Sequence, residues 1–209
     1  MQGFKTTVQQ LLIAASCPTC RRVGHADPTP CIACRRHYNL SDGCLSGLRP
    51  LPWRALALYE GPFRDLLLQI KRPGRTKPRV LPALMAMFRS QLALESTAQL
   101  VPIPSWKQRQ TLRNPLPQLI AADLQRPVLP LLVRTRAGLG QHHLDRRMRL
   151  HNMRNAFTTH EQPTGQPLWL VDDILTTGAT AMAAHQALQE RGHRVSGILC
   201  LGRTPSNRR

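Results

Sequence analysis

The sequence predicts an α/β protein: a parallel sheet flanked by helices, preceded by a small cysteine-rich module. Three observations carry that expectation. From about Trp53 onward, short apolar runs alternate with helically spaced apolar residues, the pattern of strand–helix–strand units. Residues 17–50 are rich in Cys, Pro, Gly and Arg and have few periodic apolar positions, so they need a staple in place of a core. Residues 168–180 pass from an apolar run through two carboxylates into a small-residue loop and then a helix. Ligands of open α/β sheets bind at such strand ends.

The elements follow in chain order. Phe4, Val8, Leu11 and Leu12 share one face of an expected first helix. Lys5 ahead of Leu11–Cys17 resembles a lipoprotein signal only faintly, because the apolar run is short and Gln9-Gln10 interrupt it. Cys17-Pro18-Thr19-Cys20 and Cys31-Ile32-Ala33-Cys34 form two Cys-x2-Cys knuckles. Phe63, Leu66, Leu67 and Ile70 have helical spacing, and Lys71-Arg72-Pro73-Gly74 stops that helix. Val80, Leu84, Met87 and Phe88 mark a second helix. Leu100–Ile103 reads as a strand ending at Pro104. Leu116, Leu119, Ile120 and Leu124 give another helix. Val128–Val133 is strand-like, with Pro130 at an edge or irregularity. Leu168–Val171 is a buried strand. Ala181, Ala184, Ala187 and Leu188 line the helix after it, with Gly192 as its C-terminal cap. Val195–Leu201 is the last strand, and Cys200 within it is a core residue.

The chain has 209 residues and a formal net charge of +18, and its only lysines are Lys5, Lys71, Lys77 and Lys107. Arginine therefore supplies most of the charge. A surplus of this size attracts polyanions such as nucleic acid and phosphorylated metabolites, while scattered arginine also serves plain solubility. No stretch approaches the roughly 20 apolar residues of a membrane span. The expectation is a cytoplasmic protein without membrane insertion.

Four thiolates in two knuckles suit a structural, tetrahedral Zn²⁺. The expected ligands are Cys17, Cys20, Cys31 and Cys34, with Cys44 able to replace one of them. Chelation is then expected to unfold residues 17–50 and leave the α/β unit largely intact.

The segment Val171–Thr180 carries the chemistry. Thr176, Thr177 and Thr180 offer hydroxyl groups, and Gly178 lets the backbone turn and approach a ligand closely. The N–H groups of Gly178, Ala179 and Thr180 open a helix and point at an anion. Asp172 and Asp173 accept hydrogen bonds from a vicinal diol and help place a hydrated Mg²⁺. A ribose 5-phosphate unit matches both halves. A plain capped helix explains one Asp or one Thr, not the ordered set. The Gly-Lys-Ser/Thr ending of a P-loop and the Gly-x-Gly-x-x-Gly of a dinucleotide site are both absent.

Val171-Asp172-Asp173-Ile174-Leu175-Thr176-Thr177-Gly178-Ala179-Thr180 closely resembles the motif that binds phosphoribosyl pyrophosphate (PRPP) in type I phosphoribosyltransferases. With the knuckles ahead of it, the chain resembles the ComF (competence protein F) family and its GntX-like members. Val101-Pro102-Ile103-Pro104, Arg134-Thr135-Arg136 with Gln141, and Arg147 with Asn152, Asn155, Ala156 and Phe157 match that family's spacing. So do Lys71 and Leu201-Gly202-Arg203-Thr204. The resemblance implies a type I phosphoribosyltransferase-like domain at residues 51–209 behind a zinc-binding module at residues 1–50. It implies that Asp172 and Asp173 are catalytic and hold the ribose, with Thr176–Thr180 on the 5′-phosphate. Lys71, Arg136, Gln141 and Arg147 become candidate pyrophosphate or loop contacts, and Mg²⁺ accompanies PRPP. Two departures stand out. Arg113-Asn114-Pro115-Leu116-Pro117 replaces the family's Arg-Gly-Phe-Asn-Gln element, and lone Cys44 is what remains of its further cysteine pairs.

Two functions compete at this point, against a blander reading as a structural zinc protein whose strand-end site has decayed. One is Mg²⁺-dependent phosphoribosyl transfer to an unidentified acceptor. The other is a DNA-uptake accessory of natural competence that binds single-stranded DNA, or the competence machinery, through a non-catalytic version of the same fold.

Overall fold

A computed structural model of the chain describes residues 15–72, 79–105, 115–135 and 156–205. The first expected helix lies outside them. Among the described residues the elements run α1 (Ile32–His37), β1 (Leu45–Gly47), β2 (Trp53–Leu58), α2 (Gly61–Lys71) and α3 (Val80–Gln91). They continue with β3 (Gln99–Pro102), α4 (Leu116–Asp123), β4 (Val133–Arg134) and β5 (Phe157–Thr158). β6 (Leu168–Leu175), α5 (Ala179–Gln189) and β7 (Val195–Arg203) complete the set.

Five strands form one sheet in the order β1-β2-β7-β6-β3. β2, β7, β6 and β3 run parallel, and β1 pairs antiparallel with β2. The protein is therefore mixed α/β with a mostly parallel sheet. Parallel strands are buried on both faces, so their sequences read as continuous apolar runs that feed two cores alternately. On β6, Trp169 and Val171 join one cluster, while Leu168 and Leu170 join the other. On β7, Leu199 and Leu201 alternate in the same way with Ile198 and Cys200.

The helices cover both faces. Phe63, Leu66, Leu67 and Ile70 of α2 pack into the first cluster, with Val80, Leu84, Met87 and Phe88 of α3. Ala181, Ala184, Ala187 and Leu188 of α5 pack into the second. These are the apolar positions that the helical spacing singles out. Gly192 follows α5 at φ 83°, the left-handed conformation expected of a helix-ending glycine.

Four expectations need correction. Val128–Val133 is not a continuous strand: Val128 makes a single parallel bridge to Leu100, and β4 starts only at Val133. Pro130 lies between them and lacks the N–H a ladder needs. Leu119 stays 48% exposed on α4, whose buried apolar positions are Leu116, Ile120 and Ala121. β6 runs to Leu175, past the expected end at Val171. Finally, β1 lies inside the cysteine-rich stretch yet pairs with β2, and Leu40 is buried in the first core with Tyr38 and Cys44 packed on it. The sheet thus begins before residue 50.

Candidate functional site

The acid pair sits within the sheet. β7 continues beside β6 beyond Val171, with Asp172 opposite Cys200, Ile174 opposite Gly202 and Leu175 opposite Arg203. That pairing keeps the strand going through two carboxylates that propensity alone would place in a loop. Asp173 is buried, and Asp172 is half-buried. Their backbone is locally self-bonded, with Asp173 N donating to Asp172 Oδ1 at 2.8 Å.

Lys71, the last residue of α2, reaches the pair. Its Nζ lies 2.8 Å from Asp173 Oδ2. Asp172 titrates far from its ordinary value of 3.8. Burial pushes its carboxyl up to about 8, and the neighbouring Asp173 charge adds to the rise. The Asp173 N–H and the Lys71 charge pull the other way. Two charges of one sign that share a site cannot both ionise cheaply.

A second cation comes from β4. The Arg134 guanidinium carbon lies 4.8 Å from the Phe157 ring centroid, and its Nη1 donates to Pro104 O at 3.0 Å. Burial lowers its pKa, while the Asp172 charge opposes that shift. Arg134 thus bears electrostatically on the acid pair. The sequence places it in a basic segment but gives no sign of this role, which depends on β4 pairing with β5 and on β5 packing against α5.

The loop Thr176–Gly178 follows. Gly178 is the N-cap of α5, in the left-handed region at φ 83°. A Cβ there would lie 2.1 Å from Pro50 Cγ, so both conformation and space require glycine. Ala179 N donates to Thr177 Oγ1 at 3.4 Å, a long bond. Arg203 anchors the start of the loop. Its Nη1 donates to Leu175 O at 2.8 Å and to Thr176 O. Thr176 is exposed, Thr177 and Thr180 are half-buried, and Ala179 is buried. Of the residues expected at the site, Lys71, Asp172, Asp173 and Thr176–Thr180 fall at or beside one strand end. Arg136, Gln141 and Arg147 lie outside the described residues.

The cysteine cluster is separate. The sulfur atoms of Cys17, Cys20, Cys31 and Cys34 lie within 4.8 Å of one another. Cys17 and Cys34 are 4.0 Å apart, and Cys20 and Cys31 are 3.8 Å apart. Ligands at about 2.3 Å from a tetrahedral Zn²⁺ stand roughly 3.8 Å from each other, so the four fit a structural metal such as zinc. Burial raises the Cys17 thiol, but N–H groups of Cys20, Cys31 and Thr19 outweigh it and bring the pKa down to about 6. The direct N–H contact, Cys31 N to Cys17 Sγ, is 3.4 Å. Cys44 is not part of this group and instead donates to Gln91 O at 3.6 Å. Among the described residues no helix is long and apolar enough to cross a membrane.

No family model matches the sequence. Curated relatives do. The chain is 31% identical over 206 residues to the DNA utilization protein YhgH of Escherichia coli strain K12, covering 90% of each protein. It is 30% identical over 211 residues to the DNA utilization protein YhgH of Salmonella typhimurium strain LT2, with the same coverage. The Shigella flexneri protein of that name is 30% identical over 206 residues. Those relatives cover 90% of the chain, which therefore belongs to the family of the DNA utilization proteins YhgH, consistent with the ComF/GntX-like resemblance.

Proposed function

We propose that the end of β6 is a phosphoribosyl site on a type I phosphoribosyltransferase-like sheet. It binds PRPP and passes the phosphoribosyl group to an acceptor nucleophile. The observation that carries this reading is the placement of the acid pair, where β6 runs into the Thr176–Gly178 loop and Lys71 reaches Asp173. Asp173 is held by Lys71, while Asp172 is pushed up to about 8 beside it. A carboxyl so strained for ionisation gains most from hydrogen-bond donors or a cation placed against it. A ribose 2′,3′-diol brings the donors. Asp172 and Asp173 would also hold a hydrated Mg²⁺, which supplies charge neutralisation at the leaving pyrophosphate.

The remaining roles follow from position. Thr176, Thr177, Gly178, Ala179 and Thr180 hold the 5′-phosphate, with the long Ala179 N–Thr177 Oγ1 bond giving way to it. Lys71, with Arg136, Gln141 and Arg147, contacts pyrophosphate or the loop that covers it. Residues 1–50 act as the metal-stapled module and 51–209 as the transferase-like domain, with β1 added to its sheet, in the cytoplasm. Calorimetry with PRPP and Mg²⁺ tests the reading. Binding by the wild type and its loss in Asp173→Asn are expected, with pyrophosphate released once the acceptor is present. No heat with PRPP at any Mg²⁺ level overturns it.

A second reading concerns DNA, and the name of those relatives, DNA utilization proteins, favours it. In that reading the +18 charge serves to bind single-stranded DNA. Affinity for a single-stranded oligonucleotide should then fall steeply between low and moderate salt. Binding indifferent to salt, or none, counts against it.

A further inference from the structure

Beside the phosphate loop lies a cleft of about 810 Å³ between the β1–β2 hairpin and the ends of β6 and β7. Its walls include Leu48, Arg49, Trp53, Thr177, Arg203 and Thr204. Neither Asp172 nor Asp173 lines it, and none of the described lining residues is acidic. The volume lies within the range of small-molecule sites.

Its chemistry is selective. The Arg203 guanidinium carbon lies 5.5 Å from the Trp53 ring centroid, so an aromatic ring and a planar cation are stacked in the wall. Trp53 is held in place from two sides. Its Nε1 donates to Arg49 O at 3.1 Å, and a Cβ on Gly47 would lie 2.7 Å from its ring. Leu48 at the hairpin tip is 79% exposed, an apolar side chain at the cleft with little to cover it. Thr204 Oγ1 is shut off from water and has no hydrogen-bond partner among the described residues. Arg49 is exposed at the same hairpin.

We infer that this cleft is a nucleobase site, taking the base of a nucleotide that carries its own phosphate. Indole rings and guanidinium planes are the surfaces on which bases stack. Arg49 supplies charge for the phosphate. Thr177 belongs to both cleft and phosphate loop, so the occupant lies next to the strand-end site without using its carboxylates. The same chemistry comes from two sources: a free nucleotide or one unit of a single DNA strand. The inference stands whether or not the strand end binds PRPP.

The test titrates the full chain with thymidine monophosphate in one arm and with a short oligothymidylate in the other, following tryptophan fluorescence. A stacked base quenches Trp53. Trp53→Phe should remove most of the quench, and Trp53→Ala, which leaves no ring, should weaken binding by about fivefold or more, the scale of one stacking contact. Arg49→Glu, on the exposed hairpin, should keep the quench amplitude and move the midpoint to higher ligand. Quenching by the monophosphate identifies free nucleotides as the source, and quenching by the oligonucleotide alone identifies DNA. No quench in either arm overturns the site, as do Trp53→Phe and Arg49→Glu proteins that both titrate like the wild type. PRPP calorimetry on the same preparations keeps the outcomes apart, since loss of PRPP binding with intact quenching removes only the phosphoribosyl reading.

Discussion

Lys71 Nζ stands 2.8 Å from Asp173 Oδ2, so the last residue of α2 is a counter-charge for an acid pair about a hundred residues later in the chain. A helix C-terminus favours a cation for its own reasons. Here that preference delivers the cation to the strand end where two carboxylates meet.

Removing the Lys71 charge should therefore harm the ligand-free fold. Lys71→Met leaves Asp173 buried without this partner. We expect a loss of about 1–3 kcal/mol, below the range for fully buried pairs because Lys71 is partly exposed. Lys71→Arg should restore most of it. Urea denaturation at pH 7, with unchanged slope, checks both.

The raised pKa of Asp172 has the opposite consequence. Between about pH 4 and pH 8 the unfolded chain has released this proton and the folded chain still holds it. The folded state then binds more protons, so stability from this group falls as pH rises through that window. Asp172→Asn should raise the melting temperature at pH 8 by at least about 2–4 °C, the scale of 1 kcal/mol in a chain of this size. The gain should shrink toward pH 4. Melting curves across this range test it, and a gain that grows on acidification contradicts the assignment.

Gly178→Ala should be costly for two separable reasons. Left-handed backbone costs an alanine about 1–2 kcal/mol, and its Cβ would collide with Pro50 Cγ. Pro50→Ala in the same chain should recover the collision and leave the backbone cost. A double-mutant cycle by denaturant melting separates them.

The cysteine cluster should hold one metal ion per chain, read by elemental analysis. Cys34→Ser should lose it, and Cys44→Ser should keep it, because Cys44 bonds to Gln91 O. Chelation should loosen the knuckles up to about His37. Tyr38, Leu40 and β1 should stay protected, since they are packed on the main core or paired in its sheet. Hydrogen exchange with and without chelator shows where the boundary falls.

Much of this was legible in the chain. Helical spacing marks α2, α3 and α5 by the residues that prove buried, because a one-faced helix must repeat its apolar positions. Two Cys-x2-Cys knuckles name a metal cluster, since few other uses of four thiols need that spacing. The order of carboxylates, threonines and glycine at 172–180 names the candidate strand-end site. The strands were harder. Trp53–Leu58 has no clean alternation, as a strand buried on both faces shows none, and its place beside β7 is a long-range pairing. For the same reason the sequence stops β6 at Val171, while β7 carries it to Leu175. Only the tertiary structure brings Lys71 to Asp173, Arg134 toward Asp172, Pro50 against Gly178 and Arg203 over Trp53. Local sequence fixes which residues can carry charge, turn or stack. Which of them meet depends on strand order, and strand order is decided by the packing of the whole sheet.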